Sequence, residues 1–599
     1  MFSNLEIRFW FPVVILFLLA ACSSSKIVRL HIEGESKRNA TMVEADEDGF
    51  KVKKTKGKYT RELPTIRGTI YDCSGDLSPL AMSVPVWEFS LDPVALTSSV
   101  VKVKGCKPRT KEAIVRTISD ALGLDYGKVL EMSENSKNRC QKLGASSDKQ
   151  VYNILKNHRL VPGIAIENRQ VRQYFLGTGL CHVLGSVNRE LVGSAGIEQK
   201  YNNALKGTPG YIEGQKDGLG RELYDKRVIR VDPKLGDNIY LTVDRNIQSE
   251  AERALISGID KYGAAAGWCI VMDVKTAEIK AMASYPNFHP SNFGKTPDNA
   301  KINRAVAFNY EPGSVMKVIT AAAAVDSGLV TAETRYNTDR YDHRYYRLPG
   351  DGSHVWDDFI TIRHAIAHSS NIVIGKLGVD LGPKKLWGYM KEFGFGAKTG
   401  IGLPGEEGGI LPYWEKWDKV KWSRAPIGQG VSVTAIQLAS AYQAIANNGV
   451  RLKPYIVKKI VNSKGEEVFK QDVQVASKPI SAKTAMAVRD MMKDVVKKGG
   501  TATRARIKGY SVAGKTGTSQ KIKPGGGYYE NLFWATFVGM VPADNPELVI
   551  LVSLDFDDRA TYHQGGNSSA PIFKEIATHA IRILSIPPDQ PEDLIENFD

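Results

Sequence analysis

Apolar and polar positions divide this chain into an apolar head, a polar connector and a long patterned body. Phe9 to Ala21 is one unbroken apolar run, FWFPVVILFLLAA, and residues 26–62 are polar and lysine-rich. From Arg67 onward, stretches of period 2 and period 3.6 follow one another, the marks of strands and helices. Val86–Leu91 and Val100–Val103 read as strands, Lys111–Leu122 and Asp148–His158 as helices, and Gly185–Gly210 is punctuated by glycine. A Lys234-Leu-Gly-Asp turn precedes a strand at Asn238–Val243 and a helix at Asn246–Ile256. Trp268–Val274 and Glu278–Ala283 form a hairpin through Lys275-Thr-Ala. Helices follow at Ser314–Ser327, Thr361–Leu377, Ser432–Asn448 and Ala482–Lys498, then strands at Tyr510–Ala513, Trp534–Met540 and Leu548–Leu554, and a helix at Ala570–Leu584. Strands at both ends of this stretch with helices between them predict an α/β domain, one sheet assembled from both ends and flanked by helices. The expected organisation is a membrane segment at 1–25, an α+β domain at 26–235, the α/β domain at 236–585 and a disordered acidic tail at 586–599.

Composition narrows the class. The 599 residues are 42% apolar and 24% charged, which excludes a disordered, collagen-like or multi-span membrane protein. Eighty Lys and Arg against 65 Asp and Glu give +15, a balance suited to an anionic membrane surface or a glycan-lipid substrate. No zinc-finger spacing or aromatic-basic RNA signature accompanies it, so nucleic acid is not an expected partner. The six cysteines form no CxxC pair. One bridge, such as Cys106–Cys140, stays open.

The apolar run is short for a span of roughly 17–25 residues. It reads as an uncleaved signal anchor. Leu19-Ala20-Ala21-Cys22 followed by three serines gives a lipoprotein signal as the alternative, and a buried helix is the third reading. Residues 26–61 carry ten Lys or Arg, which by the positive-inside rule alone would keep the body in the cytoplasm.

Three short signals occur in order: Ser314-Val-Met-Lys317, Ser369-Ser370-Asn371 and Lys515-Thr516-Gly517-Thr518. Each is weak alone. SxxK recurs at Ser23, Ser99 and Ser146, and KTG at Lys398–Gly400. Context selects among them. Ser314 follows Glu311-Pro312-Gly313 and heads an apolar helix, with Lys317 one turn on, so a buried lysine with a depressed pKa can act as base to the serine. Ser369 and Asn371 sit where a helix breaks, placing a proton relay and an amide that can hold a substrate carbonyl. Lys515 on an edge strand supplies charge for a substrate carboxylate, Gly517 lets a peptide lie along the edge, and the Thr518 amide can pair with that of Ser314 as an oxyanion hole. The ordinary alternative for each serine is helix capping. Lys398–Gly400 runs into a Gly-Pro loop and is set aside.

The triple set resembles the penicillin-binding protein and serine β-lactamase superfamily. Arg67-Gly-Thr-Ile-Tyr-Asp72, His182-Val-Leu-Gly185, Gly193-Ser-Ala-Gly-Ile-Glu198 and Leu241-Thr-Val-Asp244 are similar to the pedestal of class B penicillin-binding proteins. Asn303-Arg-Ala305, Gly402-Leu-Pro-Gly-Glu406, Gly428-Gln-Gly430 and Ala570-Pro-Ile-Phe573 are similar to their transpeptidase domain. Cys73-Ser74-Gly75 departs from the Arg-Asn-Gly that usually follows the pedestal aspartate.

The resemblance implies a β-lactamase-like transpeptidase domain on a pedestal, anchored by one helix in the bacterial cytoplasmic membrane and catalysing outside it. It further implies D,D-transpeptidation of peptidoglycan stem peptides through a serine acyl-enzyme, of the division (FtsI-like) type. Catalytic Ser314, Lys317, Ser369, Asn371 and Lys515, with Thr516, Gly517 and Thr518 binding substrate, are the expected residues. β-Lactams are the expected inhibitors, and a SEDS-type glycosyltransferase and other divisome membrane proteins the expected partners. No cofactor and no metal are expected. Residues 318–368 hold four of the ten histidines but lack the cysteine of the elongation-type metal site. The alternatives are an elongation-type enzyme, a D,D-carboxypeptidase or β-lactamase, and a catalytically silent divisome scaffold.

Overall fold

The computed structural model describes residues 28–29, 42–46, 49–52, 58–96, 100–101, 109–135, 137–157, 161–216, 222–223, 229–346, 348–352, 354, 356–557 and 564–595. The apolar run Phe9–Ala21, Cys22 and Cys106 lie outside these residues. Among the described residues no helix is long and apolar enough to cross a membrane, and Cys73, Cys140, Cys181 and Cys269 are free thiols.

The chain divides into two compact units, Met1–Thr65 with Gly207–Leu235 and Ile66–Lys206 with Gly236–Asp599. In the smaller, Gly210–Lys216 pairs antiparallel with Lys58–Leu63, Ile229–Val231 and Glu222–Leu223.

The larger unit is built on two sheets. A five-stranded antiparallel sheet runs in the order Ile279–Tyr285, Ala266–Asp273, Leu548–Phe556, Tyr528–Val541, Ala513–Ile522. It joins the early hairpin to the late strands, the arrangement the apolar pattern predicts. Alternation sends neighbouring side chains to opposite faces. Gly267 packs under Leu255 and Ile259 of helix Arg245–Tyr262, while Trp268 meets Phe308 and Tyr310 on the other face. With helices on both faces, the inner strands are apolar throughout rather than alternating, as WCIVM and LVILV show.

A seven-stranded sheet ties the first half of this unit to the second. Ile70–Tyr71 pairs with Pro79–Leu91 on one side and, in parallel, with Asn238–Leu241 on the other. Asn238–Leu241 in turn pairs with Val457–Val461. Behind it, Glu198 is fully buried between two arginines: Arg67 Nε donates to Oε2 at 2.7 Å and Arg172 Nε to Oε1 at 2.6 Å. A buried carboxylate is tolerated because both oxygens are met by charged donors. At the departure from the family pattern, Asp72 is satisfied locally by the hydroxyls of Ser74 and Ser78.

Residues 586–595, expected within a disordered tail, are held in place. The Asp589 carboxylate accepts from the Ser511 amide at 2.8 Å, Tyr510 donates to the Ile586 carbonyl at 2.8 Å, and Glu592–Ile595 is helical.

Candidate active site

The serine turn comes first. Gly313 has φ 58°, a conformation glycine adopts without cost, and it delivers the chain into a 3-10 turn, Gly313–Val315, that continues as helix Met316–Asp326. The helix is apolar on nearly every face and buried through Ala324, so it forms a rigid post in the core. Ser314 is half-buried at its head. The turn is clamped from two sides. The Gly313 amide donates to the Gly428 carbonyl at 3.1 Å, and a Cβ on Gly428 would stand 2.2 Å from the Gly313 oxygen. The buried Glu311 carboxylate accepts from the Gly430 amide at 2.6 Å and the Tyr528 hydroxyl at 3.0 Å.

Ser369 is the junction of the site. It has φ 64°, rare for a non-glycine residue, between the helices Ile362–Ala367 and Asn371–Leu381. Lys317 Nζ donates to the Ser369 carbonyl at 2.5 Å and to its Oγ at 3.2 Å, and Lys515 Nζ donates to the same Oγ at 2.9 Å. Both lysines are 0% exposed. Burial pulls the pKa of Lys317 down to about 7, against the opposing pull of Asp351. Burial also pulls Lys515 well below its ordinary value, and the charge of Lys317 adds to that. Two ammonium groups sharing one hydroxyl in a dry site cannot both hold a proton cheaply.

The loop is fastened by a residue that no motif marks. Asp351 accepts from the Ser370 hydroxyl at 2.6 Å and from the Asn371 and Ile372 amides. Its other donor is Trp356 Nε1, at 2.8 Å. Asn371 Nδ2 donates to the Gly350 carbonyl at 2.7 Å, so one N–H of that amide is spent inside the fold. The only sequence signal here is the turn-forming Gly350-Asp351-Gly352. His354, His364 and His368 pack around Trp356, and the His364 and His368 rings stand 4.2 Å apart, one helical turn from each other.

Lys515, Thr516, Gly517 and Thr518 lie on the edge strand Ala513–Ile522, which begins where the apolar pattern had it end. Pairing with Tyr528–Val541 carries this polar stretch. Gly517 also packs closely against the serine turn. A Cβ there would stand 3.0 Å from the Pro312 carbonyl and 3.1 Å from Val315, so glycine lets the strand press onto the serine turn. Of the four residues only Thr518 is exposed. Thr516 is buried, its hydroxyl 3.0 Å from that of Thr501. The Lys398–Gly400 copy is a turn wrapped around Glu406, whose carboxylate accepts the Thr399 and Gly400 amides.

Two family models match the chain: the penicillin binding protein transpeptidase domain over residues 267–578 and the penicillin-binding protein dimerisation domain over residues 62–241. Among curated relatives, penicillin-binding protein PbpB of Mycolicibacterium smegmatis is 30% identical over 571 residues, 88% of this chain and 85% of that one. Peptidoglycan D,D-transpeptidase FtsI of Escherichia coli is 29% identical over 530 residues, again 88% and 85%. Among solved structures, penicillin binding protein 3 of Mycobacterium tuberculosis with aztreonam bound superposes with a TM-score of 0.65 at 27% identity, covering 89% of this chain and 99% of that one. With an α/β transpeptidase domain standing on a dimerisation-type pedestal, the chain belongs to the penicillin-binding protein family and is a class B, FtsI-like D,D-transpeptidase that cross-links peptidoglycan through an acylated serine.

Proposed function

We propose that Ser314 is the acylated serine, with Lys317 as its base. The observation that carries this is the Ser369 hydroxyl, which accepts from both buried lysines beside the serine turn. A lysine with a pKa near 7 is substantially neutral at physiological pH. Neutral Lys317 takes the Ser314 proton as Oγ attacks the carbonyl of the penultimate D-Ala of a stem pentapeptide. The C–N bond to the terminal D-Ala breaks, and its nitrogen receives a proton from Lys317 through Ser369. The side-chain amine of a second stem then attacks the ester carbonyl, giving up a proton by the same path, and Ser314 leaves as the hydroxyl. The new amide is the cross-link. Lys515, Thr516 and Thr518 hold the terminal carboxylate of the donor, Asn371 offers its remaining N–H to a donor carbonyl, and the Ser314 and Thr518 amides receive the oxyanion.

The reading extends to the cell. Residues 1–25 anchor the chain in the cytoplasmic membrane, and residues 26–235 form a pedestal that carries the catalytic domain, 236–585, outside it. That pedestal contacts a SEDS-type glycosyltransferase and other divisome proteins, and cross-linking takes place at the septum. The family matches over both regions support this reading. A turnover assay with a stem-peptide donor and an amine acceptor tests the chemistry. Cross-linked product should appear with released D-Ala, and Ser314→Ala should abolish both. D-Ala release without cross-linking at saturating acceptor would instead make the enzyme a carboxypeptidase.

A further inference from the structure

We infer that Asp351 is the positioning residue of the Ser369-Ser370-Asn371 motif: it fixes that turn in the arrangement acylation needs, and Trp356 holds Asp351 in place. This rests on the reading of Ser314 as the acylated residue.

The turn does not hold itself. Ser369 sits at φ 64°, a conformation that a residue with a side chain keeps only where its surroundings enforce it. Directly after it, helix Asn371–Leu381 opens with amides that have no partner inside the helix. Its N-cap Ser370 reaches one of them, accepting from the Val373 amide at 3.2 Å. The amides of Asn371 and Ile372 both go to one oxygen of Asp351, which lies 20 residues before Asn371 in sequence. The other oxygen of Asp351 accepts from the Ser370 hydroxyl at 2.6 Å, so the cap residue depends on the same carboxylate. An anion at this end of a helix is favoured by the aligned peptide dipoles as well.

The grip reaches the groups that do the chemistry. Asn371 is held twice, by its backbone amide on the Asp351 carboxylate and by its side-chain Nδ2 on the Gly350 carbonyl at 2.7 Å. The Gly350–Asp351 unit thereby sets which way the Asn371 amide faces. Ser369 is the residue before the cap, and its Oγ is where Lys317 and Lys515 meet, at 3.2 and 2.9 Å. A shift of the Asp351 loop therefore moves the relay hydroxyl and the substrate-binding amide together.

Trp356 secures the carboxylate from its other side. Its Nε1 donates at 2.8 Å to the oxygen that Ser370 uses, so each oxygen of Asp351 accepts from two donors. The indole is packed among three imidazoles, with His354 stacked at 5.0 Å and His364 and His368 edge-on at 5.6 and 5.8 Å. His354 Nδ1 also stands 3.0 Å from the Asp351 carbonyl. His368 directly precedes Ser369, so this packing closes back on the turn it supports.

Stopped-flow acylation by benzylpenicillin tests the assignment, because it yields a rate constant and a final amplitude separately. Asp351→Asn keeps the shape of the side chain but offers only one acceptor oxygen. Its rate constant at saturating penicillin should fall about 10- to 100-fold, the scale of a small misplacement of reacting groups, while the final amplitude stays full. Trp356→Phe keeps a ring among the histidines and removes the N–H, and should lose about three- to tenfold. Both losses should act through the turn, so Asp351→Asn should cost far less in an Asn371→Ala background than in the parent. A parental rate in Asp351→Asn would overturn the assignment. So would a lowered amplitude at the parental rate, which marks a role in folding alone, or an equal fractional loss with and without Asn371. Thermal midpoints report folding, and Trp356→Phe carries the same criteria if Asp351→Asn does not fold. Penicillin labelling of Ser314→Ala tests the underlying reading independently of these arms.

Discussion

The hydroxyl of Ser369 accepts from the side-chain nitrogens of both lysines, and its backbone sits at a positive φ with neighbours fastened by Asp351. In the proposed mechanism the proton passes from Lys317 to the departing nitrogen, and back from the acceptor amine, through this oxygen. Ser369→Ala should therefore lower acylation by a penicillin on the order of 10²-fold, in the range of lost general acid–base catalysis, with a thermal midpoint close to the parent. An undiminished rate would remove Ser369 from the relay. Lys317 gives a pH test. Its pKa in the folded protein is about 7, far below the ordinary lysine value, because burial disfavours the charge. The base form grows as pH rises, so acylation should climb through about pH 7 and then level. Stopped-flow acylation between pH 5.5 and 9 checks this, and a flat profile would contradict it. The three motifs were legible because chemistry restricts which residues can do the work. Asp351 and Trp356 were not, because their importance comes from loop geometry that joins positions distant from any pattern.

At the scale of elements, glycine-to-carbonyl approaches hold the serine helix against its neighbours. Gly428 has φ 81°, and any side chain there would strike the Gly313 carbonyl. Gly428→Ala should cost about 2–4 kcal/mol of stability and slow acylation, read from denaturant unfolding alongside labelling. Helix Arg245–Tyr262 carries a different liability. Its partly buried Glu252 accepts from the Leu180 amide at 2.7 Å and from Gln248 at 2.6 Å, and desolvation still raises its pKa to about 7. The folded state thus holds a proton that the unfolded chain releases above pH 4.5, so this group's contribution to stability declines as pH rises from about 4.5 to 7. Glu252→Gln should remove that slope, a difference on the order of 2 kcal/mol between pH 4.5 and 7. An unchanged pH dependence in urea titrations would refute it. Periodicity located the helix Lys111–Leu122 at its full extent and the serine helix almost so, since both have strong apolar patterns. It missed Ile164–Tyr174, whose sequence IAIENRQVRQY alternates poorly and which is held by eleven residues of pairing with Pro79–Leu91. It also placed the late edge strand too early, because Lys515 to Gln520 look polar until the strand beside them is known.

At the scale of the whole molecule, the composition pointed to a tethered globular protein, and the order of strands pointed to a sheet closed from both ends. The apolar pattern put a break near residue 235. The structure instead weaves Ile70–Tyr71 and Val457–Val461 onto the two sides of Asn238–Leu241, so residues on both sides of that break share one sheet. Pairing between short strands so distant in sequence leaves no local trace, which is why the hairpin and helices were readable and this junction was not. The central claim is that this fold exists to place Ser314 at the mouth of a dry two-lysine site. Peptide mapping by mass spectrometry after labelling the full-length protein with benzylpenicillin tests it most directly. The penicilloyl adduct should fall on the peptide containing Ser314 and be absent from Ser314→Ala. An adduct on another serine, or labelling that persists in that variant, would contradict the account.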